Sequence, residues 1–172
     1  MRELILGGAR SGKSALAEQR ARESGLGVIY IATAEARDAE MHQRISHHRA
    51  RRPDHWHCIE EPLQLAATLQ RHAAQNRCLL VDCLTLWLSN LLAAGDEVFE
   101  REHGALLTAI GQLPGRLIFV SNEVGLGIVP MGELTRRFCD ESGRLHQAVA
   151  ASCDRVTFVT AGLPMTLKGE RA

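Results

Sequence analysis

Eight residues near the start of the chain, Gly7-Gly8-Ala9-Arg10-Ser11-Gly12-Lys13-Ser14, fit the pattern G-x-x-x-x-G-K-[ST]. Each residue type in that pattern has a chemical reason. Glycines let successive backbone N–H groups turn inward around phosphate oxygens, and the positive end of a following helix points at the same place. The lysine, Lys13, reaches the β- and γ-phosphates of a nucleoside triphosphate, and the Ser14 hydroxyl ligates Mg²⁺. A second candidate is Asp82, which ends the apolar run Leu79-Leu80-Val81. A carboxylate at the end of such a strand holds Mg²⁺ directly or through water.

Residues 37–52 read RDAEMHQRISHHRARR. Projected at about 100° per residue, Met41 and Ile45 define an apolar stripe with His48 near its edge. Arg37, Glu40, Arg44, His47 and Arg51 fall within an arc of about 80° on a separate face. His47 therefore projects from a row containing three arginines. Arginines hold phosphate oxygens bidentately, neighbouring cations favour a neutral imidazole, and a neutral histidine is a competent nucleophile towards phosphorus. An ordinary solvated charged face has the same composition, so the residues alone leave both readings open.

These groups need a scaffold, and the chain alternates short apolar runs with helical patterns. The runs Glu3–Leu6, Val28–Thr33, Cys78–Cys83, Leu117–Ser121 and Val156–Thr160 read as strands covered on both faces, and Trp56–Glu60 as a further short one. Helices are expected over Lys13–Ser24, Ala36–Arg52, Pro62–Gln75, Thr85–Ala94, Glu97–Leu113 and Glu133–Ser152. Alternation of this kind predicts an α/β fold, a P-loop NTPase of RecA-like type with a mostly parallel sheet and helices on both faces. Ligands in such sheets sit at the carboxyl ends of the strands.

The chain has 172 residues, which fits a single domain, and 45% of them are apolar, enough for a core. Lys+Arg and Asp+Glu stand at 20 each, so no whole-protein field attracts nucleic acid or an anionic membrane. The five cysteines, Cys58, Cys78, Cys83, Cys139 and Cys153, form no C-x-x-C pair and read as buried intracellular thiols. No signal peptide and no membrane span are expected, which predicts a cytoplasmic location. The His55-Trp56-His57 pair lacks a third ligand and reads as edge strand or surface. His72, His103 and His146 read as surface residues, Asp140, Glu141 and Arg144 as a solvated helix face, and Trp87 as core.

The tracts GGARSGKS, YIATAEARDAEM, RISHHRARRPDHW and SNEVGLGIVP occur in that order. Together they closely resemble the bifunctional adenosylcobinamide kinase / adenosylcobinamide-phosphate guanylyltransferase family of cobalamin biosynthesis, over about residues 4–168. The P-loop is shared by many families; HHxxxRPxHW combined with NEVGxGIVP is specific to this one. The resemblance implies two activities. One phosphorylates the aminopropanol hydroxyl of adenosylcobinamide with ATP or GTP. The other forms a covalent enzyme–GMP intermediate from GTP, releases pyrophosphate, and passes GMP to adenosylcobinamide phosphate.

By the same resemblance the GMP carrier is the first histidine of the pair, His47, with Lys13 as the other catalytic residue. Nucleotide contacts fall on Gly7, Gly8, Ala9, Arg10, Ser11, Gly12, Lys13 and Ser14, on Ala32, Thr33 and Ala34, and on His48, Arg49, Ala50 and Arg51. Glu60, or its neighbour Glu61, and Asp82 match acidic positions of the nucleotide site. Asn122 and Glu123 open the NEVG loop, where a substrate or Mg²⁺ contact is expected. The family also implies a homotrimer. Two other functions fit the P-loop: a small-molecule kinase without a covalent step, and a RecA-type nucleotide-dependent switch. The HH tract and the NEVGLGIVP loop favour the bifunctional enzyme.

Overall fold

A computed structural model describes residues 1–34 and 53–170. Its elements are β1 (Arg2–Gly7), α1 (Lys13–Glu23), β2 (Gly27–Ala32), β3 (His57–Glu60), α2 (Leu65–His72), β4 (Arg77–Asp82), α3 (Leu84–Ala94), α4 (Asp96–Ile110), β5 (Arg116–Asn122), α5 (Glu133–Ser152), β6 (Arg155–Thr160) and β7 (Leu163–Lys168). They build one seven-stranded sheet of order β3-β2-β4-β5-β1-β6-β7. Every pairing is parallel except that of β6 with β7.

The continuous apolar runs have a structural cause. Along each central strand, successive side chains enter opposite faces of the sheet, and both faces are covered. Leu4, Ile29, Ile31, Leu79, Val81, Leu117 and Phe119 join a core with Leu65, Leu69, Leu88, Leu91 and Leu106 from helices. Ile5, Val28, Tyr30, Leu80, Ile118 and Val120 join a second core with Ala17 and Ala21 of α1. Trp87, expected in the core, is fully buried in the first, and its indole Nε1 donates to the Leu63 carbonyl across 2.8 Å.

Three differences from the sequence expectation have local reasons. Helix α2 starts at Leu65 instead of Pro62 because the Glu61 carboxylate organises the entry: its Oε1 accepts from the Leu63 and Gln64 backbone N–H groups, and its Oε2 from the Thr68 hydroxyl. Helix α4 stops at Ile110, before the Gly111-Gln112 turn. Strand β7 was not expected at all. It contains Pro164 and leaves Leu163, Met165 and Leu167 exposed, and it follows a tight turn in which Ala161 and Gly162 both take positive φ. Positive φ at both central residues suits a two-residue hairpin, but an alanine in that place gives no sequence warning.

The expected helix over residues 36–52 lies outside the described residues. His57 does sit on an edge strand, β3. All five cysteines are free; Cys78, Cys83 and Cys153 are buried as expected, but Cys139 is half-buried and Cys58, on the edge strand β3, is exposed. Among the described residues no helix is long and apolar enough to cross a membrane.

Candidate functional site

Residues 8–12 connect the end of β1 to the start of α1, so the eight-residue motif lies between a strand and a helix as the pattern requires. Gly12 has φ +97°, a conformation that disfavours any side chain. At Gly7 a Cβ would come within 2.4 Å of the Val159 carbonyl oxygen and 2.6 Å of Ser11 Oγ, so glycine is required there on steric grounds. The loop is clasped from outside by the β6–β7 hairpin, where the Gly162 N–H donates to the Ser11 carbonyl across 2.9 Å. Lys13 folds back, and its Nζ donates to the Gly8 carbonyl at 3.0 Å. Burial lowers its pKa from the ordinary value of lysine, opposed by the negative charge of Asp82 and by Cys83. A desolvated ammonium under a Gly-rich loop is poised to trade that carbonyl for phosphate oxygens. The Ser11 hydroxyl is buried and has no hydrogen-bond partner among the described residues, so a polar atom of the loop is open to a ligand.

The other candidates converge on the same edge because the parallel strands all end there. The register places Glu60, Ala32 and Asp82 in one row across β3, β2 and β4. Asp82 Oδ2 accepts from the Tyr30 hydroxyl at 2.9 Å. Strand β5 lies between β4 and β1, with Asn122 paired to Gly7. Glu123 therefore stands between the P-loop strand and the Asp82 strand, and its own backbone N–H donates to the Gly7 carbonyl at 3.0 Å. A cavity of about 430 Å³ is lined by Gly8, Ala9, Arg10 and Ser11 together with Glu123 and Leu126.

Two expectations are narrowed. Thr33 is fully buried, and its hydroxyl donates to the Cys83 carbonyl (2.7 Å) and accepts from the Cys83 N–H (2.9 Å). Its carbonyl accepts from Asn90. Thr33 thus fastens β2 to the start of α3, and its side chain is not available to a nucleotide; in this tract Ala32 and Ala34 remain half-buried at the rim. Glu61 is committed to the entry of α2, whereas Glu60 is exposed at the end of β3. His47, His48, Arg49, Ala50 and Arg51 lie outside the described residues.

One histidine was misread. His146 is 6% exposed, not on the surface. Ser121 Oγ lies 2.8 Å from its Nε2, and Glu123 Oε2 lies 3.7 Å from its Nδ1. The sequence carries a signal for this: Ser142, Leu145, His146 and Val149, all buried, trace the inward stripe of α5 at helical spacing. Ser121 in turn lies 3.5 Å from Thr85 Oγ1, which accepts from the Asn122 backbone N–H at 2.9 Å. Tyr30, Thr85 and Ser121 also went unnoticed, since each looks like an ordinary strand or helix residue until the register places it. Asp140, Glu141 and Arg144 behave as expected: Glu141 pairs with Arg144, and Asp140 is exposed.

A mostly parallel sheet with a P-loop after its first strand and an acid ending β4 defines a P-loop NTPase of RecA-like type. The solved structures agree on the fold. An ATPase of a bacterial type III secretion system aligns with TM-score 0.60 at 16% identity, over 96% of this chain and 57% of that one. The flagellar accessory protein FlaH of Methanocaldococcus jannaschii aligns with TM-score 0.54 at 12% identity, over 98% of this chain and 78% of that one. The chain belongs to the cobinamide kinase / cobinamide phosphate guanyltransferase family, whose model matches residues 3–167. It is 66% identical to the bifunctional adenosylcobalamin biosynthesis protein CobP of Pseudomonas aeruginosa over 171 residues, 99% of each chain. To the bifunctional adenosylcobalamin biosynthesis protein CobU of Escherichia coli it is 36% identical, over 96% of this chain and 98% of that one. The protein is thus an enzyme of adenosylcobalamin biosynthesis that joins a cobinamide kinase to a guanyltransferase.

Proposed function

We propose that this enzyme phosphorylates the aminopropanol hydroxyl of adenosylcobinamide with ATP or GTP, and that it transfers GMP from GTP to adenosylcobinamide phosphate through a guanylyl group on His47. In the first reaction the hydroxyl oxygen bonds to the γ-phosphorus, the bond from that phosphorus to the bridging oxygen breaks, and the nucleoside diphosphate leaves. In the second, an imidazole nitrogen of His47 bonds to the α-phosphorus of GTP and pyrophosphate leaves. A phosphate oxygen of the corrinoid then displaces the histidine, giving adenosylcobinamide-GDP and free imidazole.

The observation that carries this reading is the shared edge of the sheet. The P-loop, the Ala32–Ala34 tract, Glu60 and Asp82 all lie along that edge, which supports a nucleotide lying across it from the P-loop towards β2 and β3. Lys13 would hold the β- and γ-phosphates, and backbone N–H groups of residues 8–12 the rest of the phosphate tail. The Ser14 hydroxyl and the Asp82 carboxylate are an oxygen-only donor pair, which suits Mg²⁺; the ion would neutralise charge on the phosphates. Ala32, Ala34 and Glu60 would meet the nucleoside end. His47 would come to the α-phosphate from the tract at residues 35–52, with His48, Arg49, Ala50 and Arg51 lining the same site and arginine holding phosphate oxygens.

The corrinoid would enter beside Leu126, which borders the P-loop cavity in a loop whose Ile128 and Met131 are also exposed. A cytoplasmic homotrimer is the assembly we propose, and the exposed Leu163, Met165 and Leu167 of β7 are a surface it can bury. Light scattering on the purified protein gives the oligomeric mass directly.

Two samples of GTP, one labelled at the α-phosphate and one at the γ-phosphate, separate this reading from a kinase without a covalent step. Each is incubated with the enzyme and Mg²⁺, and the protein is separated under denaturing conditions. Retention of the α-label alone, in an acid-labile bond, supports the two-step enzyme. Transfer of the γ-label to cobinamide with no α-label on the protein leaves the kinase alone.

A further inference from the structure

The motif reading gives Glu123 no defined chemistry and gives His146 none at all, yet the fold fastens both next to the P-loop. The backbone N–H of Glu123 is bonded to the Gly7 carbonyl, so the residue moves with the first glycine of the loop. Its side chain lines the P-loop cavity and is 22% exposed, which leaves it open to a bound substrate. Oε1 accepts from the Gly125 N–H at 2.6 Å, and Oε2 faces His146 Nδ1 at 3.7 Å. The loop holds Oε1 by a hydrogen bond and the imidazole on the helix behind faces Oε2, an arrangement that favours one orientation of the carboxylate.

Two contacts favour one tautomer of His146: the Ser121 hydroxyl at 2.8 Å from Nε2 and the Glu123 carboxylate at 3.7 Å from Nδ1, the second an electrostatic contact longer than a hydrogen bond. A carboxylate only accepts, so a bare Nδ1 facing Glu123 would be repelled, and Nδ1 carries the hydrogen. Nε2 is then the acceptor, and the Ser121 hydroxyl at 2.8 Å donates to it. Ser121 Oγ is in turn within 3.5 Å of Thr85 Oγ1, which accepts from both the backbone N–H and the side-chain amide of Asn122. With the Ser121 hydrogen spent on His146, a bond between Ser121 and Thr85 is donated by Thr85, whose hydroxyl also has Cys83 Sγ within 3.4 Å. Burial keeps the imidazole below the usual histidine range, against the pull of Glu123. A neutral imidazole orients the carboxylate without cancelling its charge.

We propose that Glu123 is the proton acceptor of the kinase step and that His146 is the positioning residue that aims it. This rests on the reading above, in which cobinamide is phosphorylated at the P-loop. As the substrate oxygen bonds to the γ-phosphorus, its hydroxyl proton passes to a carboxylate oxygen of Glu123. The bond between the γ-phosphorus and the bridging oxygen breaks, and the electron pair leaves with the nucleoside diphosphate. The guanylyl step needs no such acceptor, because a neutral imidazole and a phosphate oxygen attack without losing a proton.

Steady-state transfer of the γ-label from ATP to cobinamide tests this, with kcat and KM measured separately. Glu123→Gln keeps the shape and the acceptor for Gly125 N–H but cannot take the proton; kcat should fall about 100-fold or more, with KM for both substrates within about threefold. For His146 the two amide variants give opposite results. His146→Asn places an amide donor where Nδ1 stood and should retain kcat within about threefold. His146→Gln reaches only the Nε2 position, towards Ser121, and should lose about tenfold in kcat, as should His146→Ala. Thermal melting of each variant identifies loss through unfolding, and Glu123→Gln, at a partly exposed site, decides the question if the His146 variants do not fold. Wild-type kcat in Glu123→Gln overturns the proposal, and so does equal loss in His146→Asn and His146→Gln. Absence of label transfer by the wild type would instead sink the kinase reading itself.

Discussion

The hydroxyl of Tyr30, inside β2, donates to Oδ2 of Asp82, at the end of the neighbouring strand β4, across 2.9 Å. The bond orients the carboxylate that pairs electrostatically with Lys13. It ties the acid proposed for Mg²⁺ to the core, since Tyr30 is itself 2% exposed. Partners of this kind, one bond removed from a metal, are worth about 10–100-fold in metal affinity. Tyr30→Phe should therefore raise the Mg²⁺ concentration needed for half-maximal phosphoryl transfer by about tenfold, and Asp82→Asn by more. An unchanged Mg²⁺ midpoint in both variants would remove Asp82 from the metal site.

Glu60 and Glu61 are adjacent in sequence and different in structure. Glu61→Ala removes the acceptor for two backbone N–H groups and the Thr68 hydroxyl, and should lower stability by about 0.5–2 kcal/mol, as loss of a helix cap does. Glu60→Ala should weaken binding of GTP. Denaturant melts and nucleotide titration of the two variants check both halves. The reverse assignment, with Glu61→Ala weakening GTP at unchanged stability, would contradict the placement.

The loop after β5 exposes Leu126 at 81% and Ile128 at 98%, and Leu126 borders the P-loop cavity. Leu126→Ser should raise KM for cobinamide about tenfold, by loss of apolar contact at roughly 25 cal/mol per Å², and leave KM for the nucleotide within about twofold. Equal changes in the two KM values would place the corrinoid elsewhere.

Burial depresses the His146 pKa below the ordinary 6.5, with Glu123 opposing the shift. The unfolded chain therefore takes up a proton on acidification before the folded one does. The contribution of this group is complete above about pH 6.5 and is lost as pH falls through the unfolded value and then the folded one. Melting temperatures measured from pH 8 to pH 5 should fall more steeply for the wild type than for His146→Asn, which has no titrating ring. Identical slopes would mean that the imidazole is protonated at no cost in the folded state.

The chemistry of the P-loop and the alternation of strands and helices along the chain were legible because they depend on local sequence, whereas the order of strands in the sheet rests on pairings between distant segments. A glycine pattern between an apolar run and an amphipathic one defines a strand–loop–helix unit by itself. What stayed hidden depends on pairs distant in sequence. Thr33 looked like a rim residue of a nucleotide tract, and only the approach of Cys83, fifty positions on, shows its hydroxyl to be spent inside the sheet. His146 was read by its polarity, although its spacing from Leu145 and Val149 already placed it inward. Strand β7 escaped because its pattern combines Pro164 with exposed apolar residues, and its turn has alanine where asparagine or glycine would give the signal.

On the proposed function, one chain carries both a phosphate cradle and a histidine, His47, that accepts GMP. The most direct test is incubation of the wild type, His47→Ala and His48→Ala with Mg²⁺ and GTP labelled at the α-phosphate, followed by separation under denaturing conditions. The account predicts an acid-labile labelled band in the wild type and in His48→Ala, and none in His47→Ala, with GTP binding retained in all three. A wild-type protein that binds GTP and carries no label, or a His47→Ala protein that carries as much label as the wild type, would contradict it.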